Sequence, residues 1–204
     1  FSNAEALFDL EKLGQQEVNR WKKIFVHFLK QLSVNQPKRL VLKSPTHTFR
    51  VKVLQELFPD AWYLHIVRNP FTVIASTVHM WKSMFHRYSL QRPEFERLEE
   101  HVLTTYLLLH QRLSEARPKI LNSRFYELRY EDLVGDPMAE MRKIYDYFRL
   151  GDFASLQSGI EGYLKAASDH VTNHYSLSRA LITRISSRCG DVFRRYGYDP
   201  DCVQ

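Results

Sequence analysis

The segment that most constrains this chain is Ile66-Val67-Arg68-Asn69-Pro70-Phe71-Thr72-Val73-Ile74-Ala75-Ser76. Ala61 to Val67 is mostly apolar and reads as a buried strand. Asn69 suits an N-cap, and Pro70 suits the first helical position because its missing N–H would lack a partner there. The helix that follows sorts its side chains. Phe71, Ile74, Val78, Trp81 and Phe85 share one face, and Thr72, Ser76, His79 and Ser83 share another. An arginine at a strand end and a serine on the polar face of the next helix, beside helix N–H groups, outline a phosphate site. The same turn also occurs where the arginine only pairs with a neighbouring carboxylate, so the other motifs must decide between the two.

Upstream, Val18, Trp21, Phe25, Phe28, Leu29 and Leu32 recur at helical spacing, and the pattern stops before Asn35-Gln36-Pro37. Leu40-Val41-Leu42 reads as a short strand of the kind buried in a parallel sheet, leading into Lys43-Ser44-Pro45. A helix carrying Phe49, Val53, Leu54, Leu57 and Phe58 follows, ends at Pro59-Asp60 and leads to the Ala61–Val67 strand, which makes a βαβ unit. Arg92-Pro93 is expected to open a long helix that closes at Arg117-Pro118. Phe125 to Tyr130 resumes strand character, and Asp136-Pro137 starts another helix. The remainder is mainly helical, with a polar joint at Asp169 to Ser178. The expected fold class is α/β, a parallel sheet flanked by helices, in one domain over residues 1–204.

Composition bounds the function. Lys plus Arg number 29 against 23 Asp plus Glu, a net charge of +6, which suits an anionic ligand. No basic run interleaved with aromatics points to nucleic acid. The two cysteines, Cys189 and Cys202, support neither a disulfide framework nor a four-cysteine zinc site, and reduced thiols point to the cytoplasm. No apolar run reaches membrane-spanning length, the N-terminal residues do not read as a signal peptide, and no Asn-x-Ser/Thr acceptor is present. Asp169, His170 and His174 offer a carboxylate and imidazoles, but a solvated joint explains them better than a metal site.

Lys43-Ser44-Pro45-Thr46-His47 follows the first expected strand, where ligands of open parallel sheets gather. A lysine there can neutralise a leaving phosphate, a serine can donate to it, and a histidine can take a proton from an attacking hydroxyl. Read without the other motifs, Lys43 as a solvated strand end and His47 as an ordinary helix-start residue is the favoured reading.

Together these stretches resemble one family. Leu42-Lys43-Ser44-Pro45-Thr46-His47, then Phe58-Pro59-Asp60-Ala61, then Ile66-Val67-Arg68-Asn69-Pro70 with Ser76, then Tyr130-Glu131-Asp132-Leu133 with Asp136-Pro137, are similar in order and spacing to sulfotransferases that use 3′-phosphoadenosine 5′-phosphosulfate (PAPS). The resemblance covers roughly residues 15 to 150 and is closest to the broad, largely bacterial branch. It implies a P-loop nucleoside triphosphate hydrolase-like sulfotransferase fold. It also implies transfer of a sulfuryl group from PAPS to a hydroxyl or amine of a small-molecule, glycan or peptide acceptor, with 3′-phosphoadenosine 5′-phosphate (PAP) as product and no metal.

Carried over by residue, Arg68 and Ser76 hold the 3′-phosphate, Tyr130 lies beside the adenine, and Lys43 contacts the oxygen joining the phosphate to the sulfuryl group; Ser44 is the candidate donor to that phosphate from its place in the motif. His47 is the candidate base, although it stands four residues after Lys43, whereas the cytosolic branch places its histidine two residues after, where this chain has Pro45. Arg184, Arg188 and Gly190 fall where relatives bring a basic C-terminal loop to the 3′-phosphate, but without diagnostic spacing a charged helix face is their default reading. Trp81, Phe85 and Tyr88 could wall an acceptor pocket. The family's Gly-containing loop for the 5′-phosphosulfate has no counterpart among the seven glycines, so the chain reads as a domain lacking its N-terminal strand and loop. Two other classes stay open: a nucleotide-dependent kinase-like enzyme, and a non-catalytic nucleotide-binding or interaction module.

Overall fold

The computed structural model describes residues 8–34, 38–167 and 175–202. Asp169, His170 and His174 lie outside the described residues. The chain divides into two compact units, Phe1–Ala61 with Leu108–Ile120, and Trp62–Leu107 with Leu121–Gln204. In chain order the helices and strands are α1 (Gln15–Ser33), α2 (Val51–Leu57), β1 (Tyr63–Val67), α3 (Pro70–Tyr88), α4 (Leu98–Ala116), β2 (Phe125–Arg129), α5 (Tyr130–Gly135), α6 (Pro137–Phe148), α7 (Ala154–Ala166), α8 (Arg179–Arg188) and α9 (Gly190–Tyr196). Among the described residues no helix is long and apolar enough to cross a membrane.

In the first unit, the apolar face of α1 presents Trp21 and Phe25. Phe25 makes T-shaped ring contacts with His47 and Phe58, with centroids 6.0 and 6.4 Å away. Asp9 is fully buried and accepts from Arg112 on α4 at 3.1 Å, and Arg112 also pairs with Glu11 and Glu115. A buried carboxylate is tolerable only with such a partner, because an isolated charge in the interior carries a large desolvation cost.

The expected Leu40–Leu42 strand does not form. Residues 38–44 carry no regular structure, and Val41 is 90% exposed. Three apolar residues do not make a strand by themselves; a strand needs a neighbour to complete its ladder, and none of the described residues offers one. Pro45–Thr48 instead forms a 3₁₀ turn started by Ser44, and α2 follows.

The second unit holds the sheet. β1 and β2 pair in parallel, in register Tyr63↔Phe125 through Val67↔Arg129. The β1 strand is buried on one face only: Val67 is inside, whereas Leu64 and Ile66 are 45% and 46% exposed. The inner face meets a core in which Val67, Phe71 and Ile74 pack with Leu98 and Leu103 of α4 and with Ile185 and Phe193 from α8 and α9. A smaller cluster joins Leu128 of β2 to Ile144 and Phe148 of α6.

The two helices expected to start at Asn69-Pro70 and Asp136-Pro137 begin there. Asn69 accepts from the Phe71 N–H at 2.9 Å with Pro70 at the first position, and Asp136 accepts from the Ala139 N–H with Pro137 likewise. The long helix starts at Leu98, not at Pro93. Arg92 cannot cap a helix as Asn69 and Asp136 do, so the proline there does not open one.

Phe71 is fully buried and touches Phe193 with ring centroids 5.3 Å apart. Phe71→Ala should therefore destabilise the second unit by about 3–5 kcal/mol, read as a lower midpoint in chemical denaturation; an unchanged midpoint would show that this core does not govern stability.

Candidate functional site

The site grows out of the β1–β2 register. Because Val67 faces Arg129, the next residues, Arg68 and Tyr130, leave adjacent strands side by side. The Arg68 guanidinium lies over the Tyr130 ring, 4.2 Å from its centroid. Among the described residues it pairs with no carboxylate, so the alternative of a merely structural ion pair is not what forms. An aromatic face attracts a cation without neutralising it, so this arginine is held and still charged.

One residue further on, the pattern repeats. The Asn69 N–H donates to Glu131 Oε1 at 3.1 Å, and Glu131 Oε2 accepts from the Tyr198 hydroxyl at 2.7 Å. Burial and that bond push the Tyr198 hydroxyl above its ordinary pKa. Arg129 stacks over the Tyr198 ring at 4.6 Å. Glu131 thus ties the end of β1, the start of α5 and the C-terminal segment together behind Arg68.

Ser76 lies two turns into α3, half-buried, and its hydroxyl donates to the Val73 carbonyl at 3.0 Å. That bond is local, and an anion that accepts the hydroxyl instead needs only a χ1 rotation. The Phe71 N–H is already satisfied by Asn69, so the backbone of this helix start has one donor fewer to offer a ligand.

The other expected residues sit in the first unit. Lys43 is exposed, and Ser44 shares a hydrogen bond with Thr46, Oγ to Oγ1, at 2.9 Å. His47 is half-buried on the 3₁₀ turn, and its Nδ1 is buried with no hydrogen-bond partner among the described residues. Burial, with a smaller contribution from the Arg50 charge, lowers the His47 pKa from its ordinary 6.5. The imidazole is therefore neutral at pH 7, the form that can accept a proton.

Several expectations resolve as structure instead. Arg184 pairs with Glu99 at 2.5 Å and Arg188 with Glu100 at 2.6 Å, and both lie on α8, not on a loop. Gly190 is the first residue of α9. Trp81 stacks on Phe85 and packs against the main core, with Phe85 against Phe95, whereas Tyr88 is 72% exposed. These aromatics form no enclosed wall. A cleft of about 310 Å³ beside β2 is lined by Glu127, Arg129, Glu140, Lys143 and Tyr196, among others. Its charges are largely matched internally, Glu140 with Lys143 at 2.5 Å and Glu127 with His65 at 2.7 Å.

The protein-family model described as the sulfotransferase family matches residues 3–154. The chain is 40% identical over 195 residues to omega-hydroxy-beta-dihydromenaquinone-9 sulfotransferase Stf3 of Mycobacterium bovis and of Mycobacterium tuberculosis, covering 96% of this chain and 50% of each relative. This chain belongs to the sulfotransferase family. Carbohydrate sulfotransferase 5 of Mus musculus is 25% identical over 200 residues, covering 83% of this chain and 50% of that protein. In fold, it is similar to the crystal structure of sulfotransferase STF9 from Mycobacterium avium, with a TM-score of 0.71 at 19% identity over 84% of this chain and 45% of the other. The chain spans about half the length of the curated relatives it matches.

Within this sulfotransferase chain, sequence reasoning missed Glu131 as an organiser and Tyr198 as its partner. The signal for Glu131 was its place directly after Tyr130; for Tyr198, 67 residues further along, there was none. The His65–Glu127 pair was also missed. Burial acts to raise the Glu127 carboxyl, but the hydrogen bond and charge of His65, with Arg195 and Tyr196, hold it below the usual carboxylate range.

The shift at His47 is testable. As pH falls through 6.5 the unfolded chain takes up this proton before the folded chain does. The contribution is therefore fully present above 6.5 and lost as pH drops below it. The His47 ring protons should titrate with a midpoint below 6.5 by NMR, and His47→Gln should flatten the pH dependence of stability just below that value. A midpoint at or above 6.5 would show that burial does not control this ring.

Proposed function

We propose that these residues carry the 3′-phosphate side of the donor site of a PAPS-dependent sulfotransferase. The observation that carries this reading is Arg68, without a carboxylate partner among the described residues and lying over the Tyr130 ring at the start of a serine-bearing helix. Such a guanidinium fits a phosphate, and the tyrosine beneath it fits a neighbouring adenine edge. When bound, PAPS supplies the sulfuryl group and leaves as PAP.

In this reading Arg68 and Ser76 bind the 3′-phosphate, and Tyr130 sets the plane of the guanidinium. Lys43 and Ser44 offset charge on the leaving phosphate, and the neutral His47 accepts the proton of the acceptor hydroxyl. Catalysis of this type is mostly positioning and charge stabilisation. The 40% identical relatives are named for an omega-hydroxylated dihydromenaquinone, which supports a small-molecule acceptor presenting a hydroxyl. Free thiols at Cys189 and Cys202 support a cytoplasmic setting.

The kinase-like and non-catalytic alternatives are separated by ligand choice. PAP should raise the thermal midpoint of the chain, whereas AMP and ADP with Mg²⁺ should do so much less. A charge-assisted hydrogen bond contributes about 1.5–3 kcal/mol, so Arg68→Ala should weaken PAP about 10- to 100-fold in calorimetry while AMP changes little. Equal losses for PAP and AMP would remove Arg68 from the 3′-phosphate.

None of the seven glycines stands in a phosphate-wrapping loop between a strand and a helix. The 204-residue chain is therefore expected to bind PAP without transferring labelled sulfate from PAPS to hydroxyl or amine acceptors. Robust turnover would show that another segment of it serves the 5′-phosphosulfate.

A further inference from the structure

The outward face of α3 is not the polar face its sequence pattern suggests. Met80 and Met84 are 46% and 42% exposed, Tyr88 is 72% exposed, and Leu90 just past the helix end is fully exposed. Met80, Met84 and Tyr88 follow one another at intervals of four, so they form a single stripe that runs out onto Leu90. Isolated exposed apolar residues are ordinary on a protein surface, but a continuous stripe ending in a leucine wholly in water marks a binding surface.

The charge around the stripe has one sign. Between Asp60 and Glu94 the sequence contains no acidic residue, while Arg68, Lys82, Arg87 and Arg92 fall inside that interval. Arg87 and Arg92 bracket Tyr88 and Leu90, are exposed, and have no carboxylate partner among the described residues. Elsewhere in the same unit Arg184, Arg188 and Arg194 are matched with Glu99, Glu100 and Asp191. Glu94 and Glu96, beyond Pro93, bound the basic patch on one side.

We propose that this edge of α3 rests on an anionic membrane surface, with Met80, Met84, Tyr88 and Leu90 entering the interface and Arg87 and Arg92 meeting lipid headgroups. An apolar stripe with arginines at its end and no acid on its own helix is the pattern of an interfacial helix. A two-fold contact centred on the Arg87–Arg92 end would set like charges against each other, which disfavours a second copy seated there. If the sulfotransferase reading holds, the consequence is an acceptor drawn from lipid; the docking itself does not depend on that reading.

The test is co-sedimentation of the 204-residue chain with phosphatidylcholine vesicles and with equimolar phosphatidylcholine–phosphatidylglycerol vesicles, at low and high salt. Binding should occur on the anionic vesicles, weaken with salt, and be absent on the neutral ones. Each arginine near an anionic surface is worth about fivefold, so the double variant R87Q/R92Q should partition about 25-fold less. Leu90→Ser should lose about tenfold. All three positions are exposed, so circular-dichroism melting should be unchanged in the variants, which separates lost docking from lost folding.

No binding to anionic vesicles, or equal binding by the variants, would overturn the proposal. So would concentration-dependent dimers, seen by light scattering and abolished by L90S without any vesicle binding, which would assign the face to a second copy. Absence of a PAP thermal shift in the unmodified chain would count against the donor-site reading alone, since the vesicle result is read separately.

Discussion

The parallel register of β1 and β2 is the constraint on which the rest of the site depends. With Val67 opposite Arg129, the two residues that leave the strands, Arg68 and Tyr130, must be neighbours, and so must Asn69 and Glu131 behind them. A slip of one residue would turn every side chain of β2 to the other face. Glu127 would then leave His65, and Leu128 would leave the cluster with Ile144 and Phe148. Glu131 reinforces the correct register at the strand ends, because one carboxylate binds the Asn69 backbone and the Tyr198 hydroxyl at once. Removing it would leave a buried N–H and a tyrosine hydroxyl without acceptors, a larger loss than either bond taken singly.

How much of this was legible in the sequence depended on whether the determining interaction is local. The helix starts at Asn69-Pro70 and Asp136-Pro137 were readable because a cap is made by residues two or three apart. Pro93 carried half of the same signal, but the residue before it has no acceptor to offer the helix, and α4 begins only at Leu98. Leu40–Leu42 has strand composition and no partner among the described residues, and pairing is not written in three residues. The contact of Arg68 with Tyr130 spans 62 positions; the motifs at either end were visible, but the register that joins them was not.

The candidate residues divide in the same way. Arg68, Ser76 and Tyr130 belong to the unit that holds the sheet, and strand register accounts for the first and last of them. Lys43, Ser44 and His47 belong to the other unit, where a 3₁₀ turn replaces the expected strand end. His47 is nevertheless held toward its neutral form, because burial and, to a smaller extent, the Arg50 charge disfavour the imidazolium. The resemblance did not supply this position, since the residue two after Lys43 is Pro45; what favours a neutral ring at His47 is local burial.

The arginines of this chain show two ways of holding a guanidinium. Arg112 is fixed by Asp9, Glu11 and Glu115, and Arg184 and Arg188 by Glu99 and Glu100. In each case the carboxylates that orient the group also cancel its charge, so nothing is left for a ligand. Arg68 is oriented by a ring instead. Tyr130 places its ring under the guanidinium, and because an aromatic carries no net charge the positive charge is not cancelled by this contact. A phosphate site needs both properties together, an arginine that does not wander and one that is not already neutralised. Stacking on an aromatic satisfies both, whereas an ion pair satisfies only the first.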